Sequence, residues 1–302
     1  MNRRDFLRLG GSAALAFGVI GPRGMALEPD AEAVGAVPPG TLALRFLGTG
    51  AADWKGRDKR GEWRRFSSVL LDNRLLIDYT TSVATMLPDG CRPTEVFYTH
   101  SHGDHFDPIA ALRLGIRRAY VGETWVARAK EAFAAAAAEH GGEVPDIVPL
   151  SVGEQKRSGD LCITALPANH ATADLREQTL IYLVEKGPVR LLYATDTAGI
   201  PALAARIAGL EAYGGGLPIT ALVMEATASE DGDYRMFGHS SIAVVQRTVQ
   251  VLLKTGRYIP ADGQMVYLTH LARTLHGTQA ELDATLPAPL RAAYDGLDVL
   301  FG

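Results

Sequence analysis

Thr99-His100-Ser101-His102-Gly103-Asp104-His105, followed by Phe106-Asp107-Pro108, is the stretch from which the rest of the chain can be read. Three imidazoles and a carboxylate stand within six positions, directly after the apolar run Val96-Phe97-Tyr98. In an extended segment, side chains two apart project to the same side, so His100 and His102 can chelate one cation. Gly103 permits a sharp turn, after which Asp104 and His105 can address a second cation. Asp107-Pro108 offers an N-cap and a first-turn proline for a following helix. Groups this polar are costly to hold together unless a cation uses them.

Other polar residues follow apolar strands in the same manner. Asp196 comes after Leu191-Leu192-Tyr193-Ala194, and His270 after Val266-Tyr267-Leu268. A strand end fixes the backbone and leaves the last side chain free to point into a cleft. Period-2 and apolar runs predict strands over 41–47, 67–71, 74–78, 95–98, 161–166, 180–185, 189–194, 221–225 and 265–269, with a hairpin turn at Asp72-Asn73. Helical patterns fall over 107–114, 123–139, 200–210 and 241–255. Strands and helices alternate through the middle, which makes the class α/β with mixed sheets.

The chain has 302 residues, 47 % of them hydrophobic and 21 % charged, which excludes disordered, collagenous and disulfide-dense classes. It is long enough for one domain with a full core. Of eight histidines, six stand at 100, 102, 105, 170, 239 and 270. His140, beside Gly141-Gly142, reads as a favourable charge at a helix C-terminus. Cys91 and Cys162 read as two buried thiols rather than a bridge.

Asn2-Arg3-Arg4-Asp5-Phe6-Leu7-Arg8, a short Gly/Ala-rich apolar run to Ile20 and Gly24-Met25-Ala26 read as a twin-arginine export signal over 1–26. Residues 27–40, with Pro38-Pro39-Gly40, read as a linker, leaving 41–302 as the working domain. The run is too short for a stable membrane anchor. Removing 1–26 leaves 26 basic against 33 acidic residues, a balance of −7. That acidity weighs against a long nucleic-acid partner and leaves room for a small anionic substrate. Export of a folded protein to the periplasm also suits a domain that acquires metal beforehand.

The motif H-x-H-x-D-H after a strand resembles the metallo-β-lactamase fold superfamily, a four-layer αββα sandwich whose binuclear site lies at one edge of two mixed sheets. The resemblance implies that His100, His102 and His170 hold one metal, that Asp104, His105 and His270 hold another, and that Asp196 is shared. Met224-Glu225-Ala226-Thr227 and Gly238-His239-Ser240-Ser241 are similar to motifs of the ribonuclease Z and phosphodiesterase branch, as is the C-terminal run from Leu268-Thr269-His270 to Gly296. The likeness narrows to the phosphoribosyl cyclic phosphate phosphodiesterases. It covers nearly all of 42–301. Two departures stand out: only 26 positions separate His170 from Asp196, too few for a transfer-RNA-holding insertion, and no cysteine occupies a ligand position.

The implied cofactors are two divalent ions, Zn²⁺ first and Mn²⁺ second, because imidazole and carboxylate donors suit both. The implied reaction is hydrolysis of a small cyclic or nucleotide-like phosphodiester, in which the cations activate water and neutralise phosphoryl charge. His239 is the expected catalytic side chain, oriented by Glu225, and Asp104 is a further proton acceptor. Arg64 and Arg65, in the basic segment 54–65, are expected at the substrate phosphate. His276 recurs in that branch without a role. A homodimer is compatible with this reading. The competing functions are hydrolysis of a lactone, thioester or β-lactam, and non-catalytic ligand binding on the same fold.

Overall fold

Alternate residues of the strands enter two different apolar layers, which explains why the strands read as nearly continuous hydrophobic runs. The computed structural model describes residues 37–211, 215–230 and 233–302; the expected export signal and most of the linker lie outside them. In chain order the strands are β1 (Leu42–Gly48), β2 (Ser68–Leu71), β3 (Leu75–Ile77), β4 (Glu95–Phe97), β5 (Arg118–Gly122), β6 (Asp146–Leu150), β7 (Gln155–Ser158), β8 (Leu161–Pro167), β9 (Leu180–Lys186), β10 (Val189–Ala194), β11 (Ala221–Glu225), β12 (Val266–Thr269), β13 (Leu290–Ala292) and β14 (Asp298–Phe301). The helices are α1 (Pro108–Leu114), α2 (Val126–His140), α3 (Ala202–Ile207), α4 (Ile242–Lys254) and α5 (Gln279–Thr285).

Two seven-stranded sheets result, ordered β14-β1-β2-β3-β4-β5-β6 and β13-β12-β11-β10-β9-β8-β7. Each is antiparallel in one part and parallel in the other: β3 to β6 and β10 to β13 run parallel. Leu42, Leu44 and Phe46 meet Tyr182, Val184, Leu191 and Tyr193 between the sheets. The alternate residues Leu47, Leu70, Leu76 and Val96 pack with Ala110 and Ala111 of α1 and with Ala129 and Phe133 of α2. On the far side, Leu183, Leu192, Leu222 and Met224 pack with Ala204 of α3, Val245 and Val249 of α4, and Leu282 of α5. This is the expected αββα order of layers.

The hairpin expected at Asp72-Asn73 joins β2 to β3, with Leu71 paired to Leu75 across three connecting residues and positive φ at Asp72 and Asn73. Asp107 caps α1 by accepting from Ala110 N, with Pro108 in the first turn, and Ser241 caps α4 by accepting from Val244 N. His140 closes α2. Four expectations need correction. The expected helix over 123–139 begins with a 3₁₀ turn over Glu123–Trp125, and that over 200–210 shrinks to α3 between the Pro201 cap and Gly209 at φ 73. Gly103 has no positive φ, so the turn that follows it rests on His105 N and Phe106 N donating to His102 O, at 3.0 and 2.9 Å. Both cysteines are unpaired, as expected, but only Cys91 is buried; Cys162 is half-exposed.

Candidate metal centre

Parallel strand ends converge on one edge of the sandwich, where ligands bind in open α/β sheets. β4 leads to Thr99 and His100, β8 to His170, β10 to Asp196 and β12 to His270, while β11 ends on Glu225. Asp78, Asp196 and His270, each just past a strand, hold left-handed backbones with φ 56, 47 and 54. Such backbones are unfavourable for residues other than glycine and collect at functional sites.

The side chains meet in two groups. In one, His102 Nδ1 lies 3.0 Å from His100 Nε2 and 3.3 Å from His170 Nε2. In the other, His105 Nε2 lies 3.3 Å from both Asp104 Oδ2 and His270 Nε2, and His270 Nε2 lies 3.5 Å from Asp104 Oδ2. Asp196 stands between them. Its Oδ2 is 3.0 Å from His105 Nε2 and 3.3 Å from His270 Nε2, and its Oδ1 is 3.8 Å from His170 Nε2. Donors placed tetrahedrally at zinc-ligand distances would be roughly 3.3–3.6 Å apart, so the spacing of both groups fits a cation at each centre. Each group can hold a metal ion on this spacing.

Hydrogen bonds on the outer side of the rings fix which nitrogen faces inward. Thr99 Oγ1 donates to Asp78 Oδ2 at 2.8 Å and so accepts from His100 Nδ1 at 3.0 Å. His105 Nδ1 donates to Asp78 Oδ2 at 2.7 Å, and His170 Nδ1 to Gly238 O at 3.0 Å. Thr227 Oγ1 donates to Glu225 Oε2 and accepts from His270 Nδ1 at 2.8 Å. All four Nε2 atoms are thereby turned into the cluster, as metal-binding histidines require. A Cβ at Gly238 would stand 3.3 Å from His170 Nδ1, so the close approach of that backbone depends on glycine.

Charges within the cluster are strongly displaced. Burial opposes the charge on Asp196, but His270, His105 and His100 hold its carboxyl well below the usual range. Burial likewise opposes a charged His105, yet Asp196, Asp104 and Asp78 raise it well above an ordinary imidazole. His100 is pushed well below by burial and then by His105. Asp104 is held low by His105 and His270 against its burial.

His239 lies beside the cluster, its Nδ1 3.0 Å from Glu225 Oε1 and 3.7 Å from Asp196 Oδ1. Glu225 is fully buried and accepts from Thr197 N at 2.6 Å and Thr227 N at 3.1 Å, so its carboxylate is held in place. Burial would lower His239, but the Glu225 charge and hydrogen bond raise it to about 9.

Arg64, expected at the substrate, is instead enclosed. Only 5 % exposed, it donates to Thr49 Oγ1, Ala293 O and Gln279 Oε1 at 2.8, 2.7 and 2.7 Å, which commits its guanidinium to the protein. Arg65 keeps some exposure beside Asp295, at 3.5 Å, with its guanidinium over the Trp63 ring. The sequence reading missed Asp78, whose signal was an acidic residue directly after an apolar strand. It also missed Thr227 and Glu177. Glu177 accepts from Ser101 N, Ser101 Oγ and Thr172 Oγ1, at 2.8, 2.6 and 2.9 Å, and from Arg128. It thus ties the loop of His100 and His102 to the loop after His170.

A family model described as Beta-lactamase superfamily domain matches residues 73–271. The chain belongs to this family. The solved structure of Zn²⁺-bound PqqB from Methylobacterium extorquens is 21 % identical, with a TM-score of 0.61 over 85 % of this chain and 99 % of that one. The metallo-β-lactamase fold protein YhfI from Bacillus subtilis gives 14 % and 0.60, over 86 % and 99 %. The short form of human tRNase Z gives 17 % and 0.59, over 85 % and 98 %. None of the curated proteins matches the chain. At these identities the likeness is one of fold, and the two seven-stranded sheets flanked by helices are the metallo-β-lactamase sandwich.

Proposed function

We propose that this chain is a binuclear metal-dependent hydrolase of a small anionic phosphodiester, cyclic or nucleotide-like, exported by the signal at 1–26. The observation that carries the proposal is Asp196, which turns one carboxylate oxygen to each of two donor groups. His100, His102 and His170 would hold one cation, Asp104, His105 and His270 the other, with Asp196 shared. Two such cations, Zn²⁺ or Mn²⁺, supply an acidified water and neutralise charge on the phosphoryl oxygens. The zinc named for PqqB supports the first choice.

The chain's own residues supply the rest. Glu225 accepts from His239 Nδ1 and leaves Nε2 to face a leaving-group oxygen, where a positively biased imidazole can donate a proton. Thr197 N and Thr227 N fix Glu225, so the orientation of His239 follows from β11. Asp104, held far below the carboxylate range, is a weak base and serves better as a metal ligand than as a proton acceptor. Glu225 and His239, with their flanking motifs, favour the diester over a lactone, thioester or β-lactam. The acidic balance of the mature chain favours a small substrate over a long nucleic acid.

The test is hydrolysis of bis(p-nitrophenyl) phosphate by the 27–302 protein loaded with Zn²⁺ or Mn²⁺, against chelated protein and Asp196→Ala. Turnover lost in both controls is the expected result. No turnover from protein shown to hold two metals would overturn the diester reading.

A further inference from the structure

Of the five histidines in the two donor groups, four are held from behind by a hydrogen bond on the outer ring nitrogen; His102 is the exception. It turns Nδ1 inward, 3.0 Å from His100 Nε2 and 3.3 Å from His170 Nε2, and no protein group among the described residues bonds its Nε2. The placing of this ring therefore rests on the backbone to either side. After it, His102 O accepts from His105 N and Phe106 N at 3.0 and 2.9 Å. Before it, the peptide of Ser101 is held by Glu177, whose Oε1 accepts from Ser101 N at 2.8 Å.

The Glu177 side chain is fully enclosed. A carboxylate in such a place is costly unless its charge is paired and its oxygens are hydrogen-bonded. Arg128 of α2 meets the charge, and Oε2 also accepts from Ser101 Oγ at 2.6 Å and from Thr172 Oγ1 at 2.9 Å. Arg128 donates to Ser101 Oγ as well, at 2.6 Å. The loop that carries Glu177 is itself closed on a candidate ligand, because Thr179 Oγ1 donates to His170 O at 3.0 Å. Ser101 stands between His100 and His102, and Thr172 stands two residues after His170. All three donors of the histidine group thus lie within two residues of a group that Glu177 bonds, and none of Asp104, His105 and His270 does.

We infer that Glu177 is a positioning residue for one half of the cluster: it replaces the missing bond behind His102 by fixing the Ser101 peptide, and so sets the geometry of the cation held by His100, His102 and His170. The inference rests on the two-metal reading of the cluster.

The test is calorimetric Zn²⁺ affinity in two backgrounds that each leave one half intact. His270→Asn disables the carboxylate half with a residue that tolerates the left-handed backbone at that position, and His102→Ala disables the histidine half. In the His270→Asn background, Glu177→Ala is expected to weaken Zn²⁺ about 10–100-fold, the scale of a group that orients a metal ligand. In the His102→Ala background the same change is expected to leave Zn²⁺ affinity as it was. Glu177→Gln, whose amide oxygen can still accept from Ser101 N, is expected to lose only about 5-fold, and only in the His270→Asn background. It carries the test by itself if Glu177→Ala does not fold. An equal loss in both backgrounds would make Glu177 a general support of the fold and overturn the inference, as would no loss in the His270→Asn background. Wild type that binds no Zn²⁺ would overturn the two-metal reading itself, and this inference with it.

Discussion

The two halves of the cluster are built differently. The half with His100, His102 and His170 offers three imidazoles and no carboxylate of its own, two of the rings half-buried, with a threonine hydroxyl and a backbone carbonyl behind His100 and His170. The half with Asp104, His105 and His270 is buried throughout and includes a carboxylate, with the Asp78 carboxylate behind His105. More negative charge at lower exposure means stronger attraction for a dication, because water screens it less. The carboxylate half is therefore expected to hold its metal more tightly, and the histidine half to lose metal first to a chelator.

Asp196→Ala removes the one side chain common to both halves. Loss of both metals, and of turnover by about 10³-fold or more, is expected, since a cation contributes several kcal/mol of charge stabilisation. Metal analysis after dialysis checks it, and two retained metals would mean the halves stand independently. His239→Ala should keep both metals and lose roughly 10²–10⁴-fold in rate, the span of a general acid. Loss of metal in this variant would make His239 a ligand, a role its distance from Asp196 permits.

Asp78→Asn strikes the carboxylate half directly, through His105, and the histidine half only at one remove, through Thr99 and His100. About 10–100-fold weaker binding at the carboxylate half is expected, seen as one tight metal becoming two weak ones in a chelator competition. If the histidine half weakened instead, the comparison would be reversed. The smallest effect concerns protonation. In chelator-treated protein His239 should titrate near 9 by NMR, and in Glu225→Gln return toward 6.5. Because the folded value is raised, the stability this pair contributes is complete below about 6.5 and is lost as pH rises through 9. An unchanged titration in Glu225→Gln would show that another group raises His239.

The cluster was legible because much of its information is local. His100, His102, Asp104 and His105 fall within six positions, and His170, Asp196 and His270 each follow an apolar strand. Strands buried on both faces were also legible, as continuous apolar runs. The short or polar ones were not: β7 is Gln155–Ser158 at a sheet edge, and β6 at the opposite kind of edge contains Pro149. The start of α5 carries a local signature, the Thr278-Glu281 capping box.

What the residues alone determined is the donor chemistry and the alternation that buries both faces of each sheet, because ligand type and period are properties of the chain itself. Only the tertiary structure decided the partners. Asp78 reaches His105 across 27 positions, Thr227 reaches His270 across 43, and Arg64 reaches Ala293 across 229. At such separations the partner is set by which strand ends and loops the sheets bring together. An arginine therefore reads the same in sequence whether it faces a substrate phosphate or, like Arg64, fills its hydrogen bonds within the protein.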